Sequence, residues 1–260
     1  MNIQIHNLKK NFGDKTVVNV SDFSINNGEL LGLVGNNGAG KTTLFRLILD
    51  LLKADEGFVE LTPTGGDLSN QSTQTDSVNP LSSTKTFNSP INPAESEEWK
   101  QLTGAYIDEG FLIDFLTPEE YFYFIGKVSG MEKEAVDGRL KDFEHLMADE
   151  ILGQKKLIRD YSAGNKQKIG ITAAMLNRPQ LLILDEPFNF LDPSSQNVLK
   201  NMLIEYNRQT GATILISSHN IAHTIDICPR ITLLEKGIII RDLENHEGNA
   251  RKELESYFNV

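Results

Sequence analysis

Gly35-Asn36-Asn37-Gly38-Ala39-Gly40-Lys41-Thr42 fits the spacing G-x-x-x-x-G-K-[ST] of a loop that cradles phosphate. The apolar run Leu30 to Val34 precedes it, and Thr43 to Leu52 follows with helical composition. The motif therefore stands between a buried strand and a helix N-terminus. Glycines let the backbone wrap a phosphate without Cβ clashes. Successive N–H groups form a concave anion site, and the helix dipole adds positive potential. Lys41 is placed to reach the outer phosphates and Thr42 to offer its hydroxyl to magnesium. Gly35, Asn36, Asn37, Gly38, Ala39, Gly40, Lys41, Thr42 and Thr43 form the expected nucleotide-contacting set. Without a ligand the same residues are a glycine-rich turn, but strand, loop and helix in register favour phosphate.

The chain has 260 residues, enough for one large domain or two small ones. Hydrophobic residues make up 39%, as in soluble globular proteins. No apolar run approaches the ~20 residues that span a bilayer. Met1-Asn2-Ile3-Gln4 lacks the basic and apolar regions of a secretory signal, so a cytoplasmic location is expected. The net charge of −11 argues against broad electrostatic capture of nucleic acid. Cys228 is the only cysteine, which excludes an internal disulfide and a cysteine metal cluster. It reads as a small buried residue.

Along the chain, Asn2 to Leu8 alternates, and Thr16 to Ile25 carries a second strand pattern. Phe58 to Leu61 reads as a further short strand. Residues 68–96 are rich in Ser, Thr, Asn, Gln and Pro, with no apolar period, and read as a flexible surface insertion. Pro118 to Val128 opens on Thr117-Pro118-Glu119-Glu120, an N-cap with a first-turn proline. Glu132 to Met147 predicts one amphipathic helix, with Val136, Leu140, Phe143, Leu146 and Met147 on one face. Ser162 to Leu176 and Asn197 to Arg208 also read as helices. Leu181 to Leu184 and Thr213 to Ile216 are short apolar runs, expected of buried parallel strands. Ile231 to Arg241 predicts a hairpin at Lys236-Gly237, and Arg251 to Phe258 a closing helix.

The run Leu181 to Leu184 ends in Asp185-Glu186-Pro187. In open α/β sheets ligands sit at the carboxyl ends of strands. Asp185 is then delivered near the phosphate loop, where it can hold magnesium, and Glu186 can polarise an attacking water. Alone, the pair would be an ordinary strand-to-turn acidic step; downstream of a phosphate loop that reading weakens.

Taken together, these motifs resemble the ATP-binding-cassette ATPases. Tyr161-Ser162-Ala163-Gly164-Asn165-Lys166-Gln167-Lys168 is similar to the family signature in its S-x-G-x-K-Q form. Leu191-Asp192 stands where the family has its D-loop. Ser217-Ser218-His219 resembles the switch-histidine segment, and Phe12 lies where an aromatic stacks on adenine. The resemblance implies an α/β fold: a P-loop NTPase core with a mainly parallel sheet, an N-terminal antiparallel β subdomain and a helical subdomain carrying the signature. It implies one ATPase domain over 1–245, with a helical subdomain near 106–165 and a tail from 246 to 260. It also implies ATP and Mg²⁺ as ligands. Glu186, His219 and Lys41 would be catalytic, and Thr42, Asp185 and Asp108 metal-binding. Ser162, Ala163, Gly164, Asn165 and Asp192 would contact nucleotide across a dimer. Ser162 also reads as a plain helix cap, and Phe12 as core; His6, His145, His223 and His246 match no motif.

One departure stands out. Where the family's Q-loop has glutamine, Gly104-Ala105-Tyr106-Ile107 runs into Asp108-Glu109-Gly110. Asp108 takes the place, with Glu109 the alternative, and either adds negative charge beside triphosphate. Phe111 to Phe124 is unusually aromatic and divides between core and an apolar groove rim. The resemblance implies a second ATP-binding subunit as partner, a homodimer being expected and a heterodimer open. It also implies a separate multi-span membrane subunit docking near Asp108 to Phe124, with this chain at the cytoplasmic face of the membrane. The expected function is the ATP-hydrolysing subunit of an exporter. The rivals are a soluble ATPase of the same fold acting on DNA or ribosomes, and a nucleotide-gated regulatory module. A GTPase is disfavoured because the pattern N-K-x-D is absent.

Overall fold

The computed structural model describes residues 1–65, 89–246 and 249–258. Ten strands and eight α-helices are named in chain order among them. They are β1 (Asn2–Phe12), β2 (Lys15–Val20), β3 (Phe23–Ile25), β4 (Leu30–Val34), α1 (Lys41–Ile48), β5 (Glu56–Thr62), β6 (Thr103–Tyr106), α2 (Pro118–Val128), α3 (Lys133–Leu140), α4 (Glu144–Met147), α5 (Ala163–Met175), β7 (Leu181–Leu184), α6 (Pro193–Thr210), β8 (Thr213–Ser218), α7 (Ile221–Ile227), β9 (Arg230–Glu235), β10 (Ile238–Glu244) and α8 (Ala250–Phe258).

The six-stranded sheet runs β10-β9-β4-β8-β7-β6, parallel except for the β9–β10 hairpin. Its register places Val34 beside Ser218, and Leu184 beside both Ile216 and Tyr106. The carboxyl ends of β4, β6, β7 and β8 thus share one edge, and the phosphate loop, the Asp108 segment, the Asp185-Glu186 step and His219 all leave the sheet there. β4 and β7 are wholly buried because both faces are covered. Alternate side chains go to opposite cores, as a period of two demands. Leu30, Val34, Leu182 and Leu184 pack with Phe122, Phe143 and Ile169. Leu31, Leu33, Leu181 and Ile183 pack with Phe45, Ile48, Ile3 and Ile5. Each fully buried side chain of this size contributes about 1.5–3 kcal/mol.

A second, antiparallel sheet is built on β1. The strand pattern over Thr16–Ile25 resolves into two strands. β3 pairs with Ile3–Ile5 and β2 with Leu8–Phe12. Between them Asn7 takes φ 46°, which breaks the pleat of β1. The helix expected over Glu132–Met147 is likewise interrupted, by a 3₁₀ turn at Lys141–Phe143. Its five apolar residues are all buried nonetheless. α7 has no strong signal in the sequence; Asn220 caps it by accepting from Ala222 N at 3.0 Å.

Of the expected insertion 68–96, residues 68–88 lie outside the described residues. The remainder differs from a surface loop: Ile91 is buried and pairs backbone to backbone with Leu61 in both directions at 2.8 Å. Ile91 and Pro93, both buried, anchor this stretch, which a period-based reading does not register. Cys228 is buried, and burial pushes its thiol pKa up. Among the described residues no helix is long and apolar enough to cross a membrane.

β6 runs so close to α5 that a Cβ on Gly104 would stand 1.8 Å from the Ala174 carbonyl oxygen. Gly104→Ala is therefore expected to destabilise the protein by about 1–3 kcal/mol, the usual cost of overpacking. Thermal denaturation checks this, and an unchanged midpoint would contradict so close an approach.

Candidate active site

β4 delivers Gly35, and the loop closes on itself through Ala39 N donating to Asn36 O at 3.0 Å. Asn36, Asn37 and Gly38 are exposed, whereas Gly35, Ala39 and Gly40 are buried. Gly40 is the N-cap of α1 at φ 107°, a conformation that disfavours side chains, and no side chain caps this helix. Its first N–H groups are thus left to an anion. Lys41 is only 6% exposed. Its Nζ donates to Gly35 O at 2.7 Å and lies 3.4 Å from Asn36 O and 3.4 Å from Glu186 Oε1. Thr43 is half-buried on the same turn.

Asp185 is buried at the end of β7. The hydroxyl of Thr42 donates to its Oδ2 at 2.5 Å, and that of Ser217 to its Oδ1. Burial pushes the Asp185 carboxyl pKa up, against the opposing pull of those two hydroxyls. Glu186 takes φ 48°, a strained conformation for a residue with a side chain. Its Oε2 lies 2.9 Å from His219 Nδ1 and accepts from His219 N at 3.3 Å. Ser162 caps α5 by accepting from Asn165 N at 3.3 Å, and it is exposed with Ala163. Gly164 and Asn165 follow, half-buried, on the first turn. Asp192 caps α6, accepting from Ser194 N at 2.9 Å and from the Ser195 hydroxyl. The Ser195 bond heads the causes that lower its carboxyl pKa. Phe12 is exposed rather than core, at the β1–β2 turn, with Lys10 Nζ 5.7 Å from its ring.

The acidic segment after β6 departs from expectation. Asp108 Oδ2 accepts from Arg46 of α1 at 2.9 Å, and its Oδ1 from Gly110 N at 2.8 Å. Each oxygen of Asp108 thus accepts one hydrogen bond, and the Arg46 guanidinium balances its charge. Glu109 pairs with Lys166 of α5 at 3.4 Å. Asp108, Glu109, Asp185 and Glu186 nevertheless line one cavity of about 250 Å³, with Gln167 and Phe190. The sequence reading gave no role to Arg46, Ser217 or Gln167. Ser217 and Gln167 stand inside matched motifs, which was their only signal; Arg46 carried none.

Thr42 and Asp185 present hard oxygen donors side by side at the foot of the loop. Mg²⁺ bound with a nucleotide takes one or two protein oxygens and completes its shell from phosphates and water. These residues fit that demand. Among the described residues no group of three or more His, Cys, Asp or Glu stands ready for a metal.

A glycine cradle at a strand end, a buried lysine and an Asp–Glu step on the same sheet edge define a nucleotide-binding phosphate-loop protein. The model of the ABC transporter family matches residues 18–189. The chain belongs to that family, and is an ATP-binding, ATP-hydrolysing subunit. It is 30% identical to the bacitracin transport ATP-binding protein BcrA of Enterococcus faecalis, over 99% of this chain and 74% of that protein. It is 31% identical to the linearmycin resistance ATP-binding protein LnrL of Bacillus subtilis, over 92% of this chain and 68% of that one. Its fold is similar to a dimeric ATP-binding cassette solved in a post-hydrolysis state with ADP and Pi. That match has TM-score 0.73 and 21% identity, covering 94% of this chain and 99% of that one.

Proposed function

We propose that this chain drives an exporter by closing on ATP as one half of a dimer, with Glu186 as general base. The contact that carries the reading is Glu186 itself, which touches His219 at 2.9 Å through one oxygen and approaches Lys41 at 3.4 Å through the other. A carboxylate so held can accept a proton from a water aimed at the γ-phosphate. The water oxygen bonds to the γ-phosphorus while Glu186 takes its proton. The bond from that phosphorus to the bridging oxygen breaks, and its electron pair leaves with ADP. Lys41 and His219 stabilise the charge that develops on the phosphoryl oxygens. Thr42 and Asp185 would hold Mg²⁺, which would supply positive charge against the triphosphate. Ser162, Ala163, Gly164 and Asn165 at the tip of α5, with Asp192, would face triphosphate held by the other subunit. Phe12 would stack on the base.

Export is supported by the S-x-G-x-K-Q signature and by relatives named for bacitracin transport and linearmycin resistance. A methionine import ATP-binding protein of Bacillus thuringiensis is also similar, at 29% identity. In vesicles carrying the membrane partner, ATP-driven flux is expected to move substrate away from the ATP side; accumulation on the ATP side would overturn export.

The aromatic run supports a docking face for a helix of that partner at the membrane's cytoplasmic side. Tyr121 and Phe122 are core, whereas Phe111, Phe115 and Phe124 are exposed, Phe115 by 65%. Such a patch suits a helix laid in a groove. Serine at Phe115 and Phe124 together is expected to abolish co-purification of a multi-span membrane protein while isolated ATPase activity persists. Retained co-purification would remove this face from the docking site.

A further inference from the structure

Gln167 lies five residues beyond Ser162 on α5, is 3% exposed, and lines the cavity it shares with Asp108, Glu109, Asp185 and Glu186. A buried amide is costly unless its hydrogen bonds are met. Its Nε2 donates to the backbone carbonyl of Glu186 at 3.0 Å. That carbonyl also accepts from Asn189 N at 3.2 Å. On the other side of the residue, Glu186 N donates to Ser217 Oγ at 2.8 Å. Glu186 is thus pinned at both backbone groups while it sits at φ 48°. A conformation of this kind costs about 1–3 kcal/mol and persists only where the surroundings enforce it.

We propose that Gln167 is a positioning residue that ties the nucleotide-facing tip of α5 to the backbone of Glu186 in the same chain. Engagement of that tip by nucleotide on the partner then sets the aim of this chain's own carboxylate. The two hydrolysis sites are coupled through one rigid helix and one hydrogen bond. The inference rests on the role proposed for Glu186 and for the tip of α5. Ser217 secures the amide side independently, so loss of Gln167 loosens only the carbonyl side, which keeps the longer bond from Asn189 N at 3.2 Å. The carboxylate then swings relative to Lys41 and His219.

The test uses the full chain with MgATP and two substitutions. Gln167→Met keeps the volume and removes the donor. It is expected to lower kcat by about 10²-fold, the cost of misplacing a reacting group by about 1 Å. The KM for ATP and the melting midpoint stay unchanged; coupled sites predict a sigmoidal dependence of rate on ATP in the parent, and the variant loses it. Gln167→Glu cannot donate when ionised and can when protonated. Its rate relative to the parent should therefore climb as pH falls, a limb that Gln167→Met lacks. Parental kcat in Gln167→Met, or a fall in kcat that follows a lower melting midpoint and a higher KM, would overturn the proposal. So would an ATP curve as steep as the parent's, or a Gln167→Glu variant that tracks Gln167→Met at every pH. If Gln167→Met turns over normally while Glu186→Gln is slow, only this coupling fails. If Glu186→Gln turns over normally, the base assignment itself fails.

Discussion

Replacing Glu186 with glutamine is expected to lower ATP hydrolysis by about 10²–10⁴-fold, the usual worth of a positioned general base. Nucleotide binding should survive, because the cradle and Lys41 are untouched. Glutamine keeps the shape and one oxygen, so it still reaches His219, but it no longer takes a proton from water. The charge change works in the same direction. Glu186 Oε1 stands 3.4 Å from Lys41 Nζ, and its neutral replacement leaves that ammonium wholly to phosphate. ATP affinity should therefore rise slightly, and the closed dimer should accumulate. Phosphate release and size-exclusion chromatography with ATP check both halves. Turnover equal to the parent's would refute Glu186 as the base.

Lys41→Ala should act on the other side of the cycle. Lys41 is buried beneath the loop, and its ammonium holds Gly35 O at 2.7 Å. A hydrogen bond to a charged group contributes about 1.5–3 kcal/mol. Losing it at the phosphates weakens ATP binding by about 10–100-fold. The variant also strands the Glu186 carboxylate without its cation, so triphosphate would approach an uncompensated negative charge. Equilibrium titration with a fluorescent ATP analogue measures the loss. Affinity equal to the parent's would contradict the loop assignment, whatever the hydrolysis rate. The two substitutions together separate binding from chemistry: one spares affinity and stops turnover, and the other loses affinity first.

The phosphate loop, the Asp185-Glu186 step and the caps at Thr117 and Ser162 were legible in the amino-acid order, whereas Asp192 capping a helix that starts at Pro193 rather than near Asn197 was not. Each of the legible features is a contiguous pattern whose physics is local. A glycine cradle needs only its own backbone, and a cap needs only the next three residues. The interruption of Glu132–Met147 and the split of β2 from β3 were not legible, because periodicity marks which residues face the core and not where the backbone turns between them. The aromatic run shows the same limit: composition flagged all of Phe111 to Phe124, but packing alone divided Phe122 from Phe115.

The charge partners mark the boundary most clearly. Asp108 announced itself as an acidic residue in a glutamine's place, with an apparent excess of negative charge. Arg46, 62 residues away, balances it. Gln167 reaches Glu186 across 19 residues, and Ser217 reaches Asp185 across 32. Local chemistry is written in neighbouring letters and so could be read directly. These pairings depend on how parallel strands register and how crossover helices fold back onto them, information that exists only once the sheet has closed around its two cores.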